Sequence, residues 1–455
     1  MESPPSHLKR VLRQRQVVAL AFGAIMGWSW VLLTGVWIGR AGSLGAALAF
    51  AATGVAIALI ALTYAELVSA LPKTGGEHVY SARAFGPGFS FVCTWALLLG
   101  YVSVVAFESV ALPVALSYLF PELRMGRLWS IAGADVYASH IAIGIGGALL
   151  LTAVNARGIA AAARLQGVVT GLIAVAGVVL VVGSVASGSL SNMEPLFTGG
   201  IGGALGVVVM LPLMFLGFDV IPQAAEEIDL PPRRIGWLIV VSMLSAGGFY
   251  IAVVLAVAFA FGGDARAASD LTTADAAAAA WSSPWAGALL IVGGVAGIVT
   301  TWNALLVGSS RLVYALAKDE MLPASLGTLH PQHATPTRAL WSICAVSCLA
   351  PWFGRPALVW LVDAGSLGVV VAYAIVALSF LALRRKEPAL PRPYRVPGGT
   401  VIGWLAFAMA FAIGLLYLPG SPAALIWPQE WAICLGWIGV GGLLYGLQRR
   451  RLLDH

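Results

Sequence analysis

The chain is 455 residues long, 60% hydrophobic and only 10% charged, with a mean hydropathy of +0.90. That balance excludes a soluble globular enzyme and a nucleic-acid-binding module, and leaves an integral membrane protein. The net charge of +6 is then a matter of topology, not of an acidic partner.

Residues 1–16 read as a short basic cytoplasmic tail. Twelve apolar runs follow, at 17–39, 43–71, 89–119, 139–156, 165–187, 201–224, 236–261, 286–316, 338–353, 357–383, 401–419 and 424–447. Most are near the roughly 20 residues that cross a hydrocarbon core; the ninth is short. They are continuous rather than alternating, so they predict helices and not a barrel. The first is too long for a signal peptide and lacks a small-residue cleavage site, so it is expected to be retained.

The first run holds "GAIMGWSWVLL", Gly23 to Leu33. Two glycines and two large aromatics at mid-span suit an unwound segment better than a continuous helix. Ile25, Met26, Gly27, Trp28, Ser29 and Trp30 are therefore candidate substrate-binding residues. Trp28 and Trp30 have three readings: core filling, gating, or an aromatic wall over a ligand ammonium. In the third run Glu108 lies near the centre. A carboxyl there costs a few kcal/mol by insertion scales, so it reads as a cation partner or proton carrier, or as a hydrogen-bonded link to a neighbouring helix.

The sixth run carries "MFLGFDVIPQAAEEI", with Phe215, Gly217, Phe218, Asp219 and Pro222. Asp219 is a site and coupling candidate alongside Glu108, or a cap on backbone N–H groups freed by the break. Phe215, Gly217 and Phe218 join the candidate substrate-binding residues. Broken first and sixth runs lie five spans apart and so enter from opposite sides. That is the mark of an inverted-repeat transporter with a midplane site.

Lys and Arg concentrate on the segments that twelve spans with an inward N-terminus place in the cytoplasm. Only Arg40, Arg124, Arg127, Arg266 and Arg355 fall outside. The expectation is a multi-pass protein of the cytoplasmic membrane with both termini inside. Glu66, Glu226 and Glu227 lie near cytoplasmic basic residues and are either inner-gate ion pairs or solvated surface pairs. Cys93, Cys344, Cys348 and Cys434 read as small buried thiols, and neither a metal nor a cofactor is expected. Thr300 and Thr301 are weak sodium-ligand candidates, and Asn303 suits helix–helix hydrogen bonding.

Four stretches carry a resemblance. They are "YAELVSALPKTGGEHVYSARAFGP" (64–87), "GFDVIPQAAEEIDLPPRRI" (217–235), "SSRLVYALAKDEMLP" with "HPQHATPTRAL" (309–340), and "RPYRVPGG" (392–399). In this order they resemble the amino acid–polyamine–organocation (APC) permeases. The resemblance implies the leucine-transporter fold in a single membrane domain. Residues 17–187 and 201–383 would be inverted repeats of five helices, with helices 1 and 6 unwound and 401–447 supplying helices 11 and 12. It implies a secondary active transporter of an amino acid or small amine, proton-coupled or exchanging, with the lipid bilayer, its substrate and protons as partners. The alternative is a non-transporting sensor or a channel-like protein on the same fold. Two departures stand out. The family has Gly-Ser-Gly where this chain has Gly27-Trp28-Ser29. Some proton-coupled relatives carry a fifth-helix lysine where this chain has about Ile173.

Overall fold

The computed structural model describes residues 8–269, 271–421 and 424–453. It is almost entirely helical. The first apolar run is in three pieces, α1 (Gln14–Ile25), α2 (Ser29–Leu32) and α3 (Thr34–Ala41). Then come α4 (Ser43–Ala70), a short α5 (Glu77–Phe85) and α6 (Pro87–Leu119). A hairpin, β1 (Arg127–Ile131) with β2 (Ala134–Tyr137), leads into α7 (Ala138–Ala156) and α8 (Ile159–Ser187). The sixth run is again in pieces, α9 (Gly200–Val208), α10 (Leu211–Met214) and α11 (Val220–Gln223). After them α12 (Pro232–Ala260), α13 (Gly263–Ala267), α14 (Thr272–Ala280) and α15 (Pro284–Lys318) follow. The chain closes with α16 (Thr337–Ser347), α17 (Pro356–Lys386), α18 (Gly399–Leu415) and α19 (Gln429–Leu453).

Eight of these helices are long and apolar enough to cross a membrane: α4, α6, α7, α8, α12, α15, α17 and α19. The other four expected runs differ for local reasons. The first and sixth are interrupted. The ninth ends at Ser347, ahead of a 3-10 turn over Ala350–Phe353 that contains Pro351. The eleventh is a 17-residue helix. The polar loops hold more structure than their composition suggests, since α5, the hairpin, α13 and α14 all fall in them.

Small residues set the packing. The α6–α17 seam is close because Gly100, Gly365 and Gly368 lie in it. A Cβ on Gly100 would stand 3.2 Å from the Gly365 carbonyl, and one on Gly368 3.2 Å from the Leu99 Cβ. The broken first run packs on α8, α12 and α15, and α4 lies along α12. Aromatic clusters sit at two depths on α4. Phe50 joins Trp37, Phe215 and Tyr250, with its ring stacked on Tyr250 at 5.1 Å. Fourteen residues on, about 21 Å along the helix, Tyr64 joins Phe218 and Tyr373 at 5.4 and 5.8 Å. The break in the sixth run separates Phe215 of the first cluster from Phe218 of the second.

Candidate functional site: two broken helices that meet

The helix of α1 stops at Ile25. Met26 adopts φ −88°, ψ 72°, outside the helical region, and its N–H still bonds the Phe22 carbonyl. Gly27 donates to the Ile25 carbonyl at 3.1 Å, and helix resumes at Ser29. The first turn of so short a helix leaves the Ser29 and Trp30 N–H groups without intrahelical partners. The Ile25 carbonyl is claimed by the Tyr250 hydroxyl at 3.0 Å, which also pairs with the Ser29 hydroxyl at 3.0 Å. Gly297 of α15 makes room for the exposed backbone. A Cβ there would run into the Met26 and Gly27 carbonyls.

The sixth run breaks between Met214 and Val220. Gly217 has φ +133°, a conformation that L side chains rarely adopt. Its N–H donates to Asp219 Oδ1 at 2.9 Å, so one carboxylate oxygen caps the break as the sequence suggested. The second, Oδ2, is buried with no hydrogen-bond partner. The two breaks touch. A Cβ on Gly217 would lie 2.6 Å from the Ala24 Cβ and 2.9 Å from the Ile25 nitrogen.

Glu108 reaches the same place from α6. Its Oε1 stands 3.5 Å from the position a Gly27 Cβ would take, and the Thr301 hydroxyl oxygen 3.3 Å from it. Glu108 is 1% exposed, makes no ion pair among the described residues, and leaves Oε2 without a partner. An unpaired carboxyl buried beside free backbone is not what packing alone would keep.

The tryptophans lie on the other face of the break. The Trp28 ring fills the space left by Gly294. Trp30 lies over Gly293, where a Cβ would come within 3.4 Å of its ring, and stands edge-on to Phe249 at 5.4 Å. Both indole N–H groups are buried and unpartnered. Phe215 and Phe218, three residues apart, fall into different aromatic clusters. Of the candidate residues, Ile25, Gly27, Glu108 and Gly217 come together directly, whereas Trp28 and Trp30 back the segment from the α15 side.

A third element was legible in the sequence only in part, through Asn303, expected to hydrogen-bond between helices, and not through Gln166. Gln166 of α8 and Thr301 of α15 both bond α1 next to the break. Gln166 donates to the Ala19 carbonyl at 3.3 Å, and Thr301 to the Gly23 carbonyl at 3.3 Å. Asn303 donates to Gln166 Oε1 at 2.7 Å and accepts from Asn155 at 2.9 Å, a buried amide chain across α7, α8 and α15. Single amides inside three apolar runs, Asn155, Gln166 and Asn303, were its sequence signal.

Buried ion pairs lie at the Ala70 end of α4 and the Lys318 end of α15. Arg311 forks onto Glu227 with two bonds of 2.9 Å, both side chains nearly inaccessible. Glu66 accepts from Arg384 and from the Val396 N–H, and pairs with Arg392 at 3.1 Å. Backbone bonds from Val11 and Leu12 to the Glu227 carbonyl pin the N-terminal segment to the same spot. Outside any candidate span, Arg83 on Glu387 holds that exposed carboxyl below its usual range.

The amino acid permease family model matches residues 12–440. The chain is similar to the methylthioribose transporter of Bacillus subtilis (strain 168), 27% identical over 99% of this chain and 95% of that protein. It is also similar to the branched-chain amino acid permease BcaP of the same organism, 26% identical over 98% and 94%. BcaP of Lactococcus lactis subsp. cremoris is 26% identical over 88% of each chain. A family model running from Leu12 to Val440, across both broken helices and Glu108, makes the chain a member of the amino acid permease family.

Proposed function

We propose that the protein is a secondary active transporter of an amino acid or related small amine in the cytoplasmic membrane, working by alternating access. Twelve spans, two inverted five-helix repeats and cytoplasmic termini complete this reading. Substrate binds where the two breaks meet. Its carboxylate takes the free N–H groups of Ser29 and Trp30, an anion-binding arrangement at a helix start. Its ammonium takes Glu108, with Asp219 as the second candidate carboxylate. Phe215 closes one side and Phe218 the other. Trp28 and Trp30 wall the segment. Proton coupling through Glu108 or Asp219, or exchange, supplies the drive.

The observation that supports this most is the buried, unpaired Glu108 beside Gly27, at the contact between two interrupted helices. Irregular backbone at that depth is tolerated only where it lines a cavity or is enclosed by protein. The names of the relatives give the first probes: leucine, isoleucine, valine and methylthioribose.

Counterflow tests the reading. Proteoliposomes loaded with unlabelled probe should transiently accumulate the labelled one. A channel-like protein conducts without counterflow, and a sensor binds without flux, so either result replaces the transporter reading.

A further inference from the structure

Asp219 is not the only carboxyl without a cation in this part of the fold. Glu77 opens α5, in the connection between α4 and α6, and is fully buried. Its Oε2 accepts from the Gln223 amide, and its Oε1 has no partner. Gln223 closes α11, four residues after Asp219, so the two share one face of a helical turn. The approach is built in. Gly76, at φ +32°, lies against Pro222, where a Cβ would come within 2.6 Å of the Pro222 Cβ.

The groups that face this pair are neutral. Tyr64 of α4 faces Glu77, Tyr101 of α6 and Tyr373 of α17 face Asp219, and Tyr80 and Cys93 complete the Glu77 side. The four tyrosine hydroxyls, Asp219 Oδ2, Glu77 Oε1 and Gln223 Oε1 are all buried without a hydrogen-bond partner. Neither carboxyl makes an ion pair among the described residues. The other ionisable groups nearby are spent elsewhere, His78 of α5 on Asp319 at 2.8 Å and Glu227, beyond α11, on Arg311 of α15. Burial, and after it the Asp219 carboxylate, push the Glu77 carboxyl well above its usual range.

We propose that Asp219 and Glu77, which bonds Gln223 one turn after Asp219, form one proton-holding pair, and that Glu77 is the relay by which a proton passes between the break in the sixth run and the Ala70 end of α4. Two negative charges in one buried, uncompensated pocket are costly, so the pair keeps a proton. The step balances simply. A hydronium ion gives one proton to a carboxylate oxygen and leaves as water, and the charge of the pair goes from −2 to −1. The proton leaves to water on the other side. The role in transport rests on the reading above, whereas the shared proton does not.

Two measurements on the purified full-length protein separate these claims. In the first, the infrared C=O stretch of protonated carboxyls is followed against pH in H2O and D2O. The wild type should show a band near neutral pH that Glu77→Gln diminishes. In Asp219→Asn the Glu77 band should titrate at lower pH, because its like-charged neighbour has gone. A band unchanged by Glu77→Gln, or a Glu77 titration unmoved by Asp219→Asn, overturns the pair. In the second, leucine and methylthioribose uptake into proteoliposomes is driven by an inward proton gradient. Glu77→Gln should keep counterflow and lose gradient-driven accumulation, and Glu77→Asp should restore part of it. Glutamine can still bond Gln223, so a merely structural role predicts wild-type accumulation in Glu77→Gln, which overturns the relay. No counterflow in the wild type would instead overturn the transporter reading, and the infrared result would still decide the pair.

Discussion

The backbone of Gly217 leans directly on Ala24: a Cβ at 217 would lie 2.6 Å from the Ala24 Cβ. Two segments nearly 200 positions apart in sequence thus interrupt at the same point in space, and each break is possible because the other leaves room for it. Gly217 also holds φ +133°, so any side chain there meets strain and collision together. Gly217→Ala should lower stability by about 1–3 kcal/mol and reduce uptake further than that loss explains. Melting temperature and uptake per folded molecule, measured together, check it. Full uptake in Gly217→Ala would mean that the contact is incidental.

The tryptophans offer a choice between two physical roles. Their rings lie over Gly293 and Gly294 of α15. If a ligand ammonium also meets a ring face, Trp28→Leu or Trp30→Leu should weaken binding by about 1–2 kcal/mol, roughly a factor of 5 to 30. The Phe replacements should lose less. If the rings only buttress the break, Leu lowers melting temperature and affinity in the folded fraction holds. Isothermal titration with a bound probe, with melting temperature as control, decides between them.

The Glu227–Arg311 pair should behave as a buried pair and Arg83–Glu387 as a surface one. Glu227→Gln leaves a buried guanidinium without its carboxylate and should cost about 3–5 kcal/mol. Glu227→Gln with Arg311→Met should recover most of it. Glu387→Ala should cost less than about 1 kcal/mol, because both partners are partly exposed and screened. The sign of the pH dependence at Glu387 follows from its lowered range. Its small contribution is present above the usual carboxylate range and is lost as pH falls through the lowered value. Thermal melts of the four proteins from neutral pH down to below the usual carboxylate range test all of this.

Much of the architecture was legible. Apolar runs marked the long helices, because lipid leaves the backbone no other choice. The breaks were legible at Gly27 and Gly217, where glycines and polar or aromatic residues interrupt those runs. Glu108 and Asp219, carboxyls inside apolar runs, stood out for the same reason. What stayed hidden depends on partners far away in sequence. Glu77 sits in a stretch that reads as a polar loop, and only its meeting with Gln223 makes it a buried acid. Tyr101 and Tyr373 look like ordinary apolar filling until their hydroxyls face Asp219. The separation of Phe215 from Phe218 follows from the φ of Gly217 between them, which no composition reveals. Glu66 and Glu227, expected near basic residues, proved to be deeply buried pairs, whereas Glu226 makes no ion pair among the described residues.

In the proposed transporter the meeting of the two breaks binds the substrate, with Glu108 as partner of its charge. Glu108→Gln keeps the shape and removes the charge. An unpaired buried carboxyl is a cost to folding, so this variant should melt at the same temperature as the wild type or higher. Its affinity for whichever probe shifts the wild-type melting temperature, measured by equilibrium binding, should fall by about 2–5 kcal/mol, the usual range for a lost buried charge partner. Affinity unchanged in a folded Glu108→Gln would contradict the account, because the one carboxyl placed at the first break would then play no part in holding the ligand.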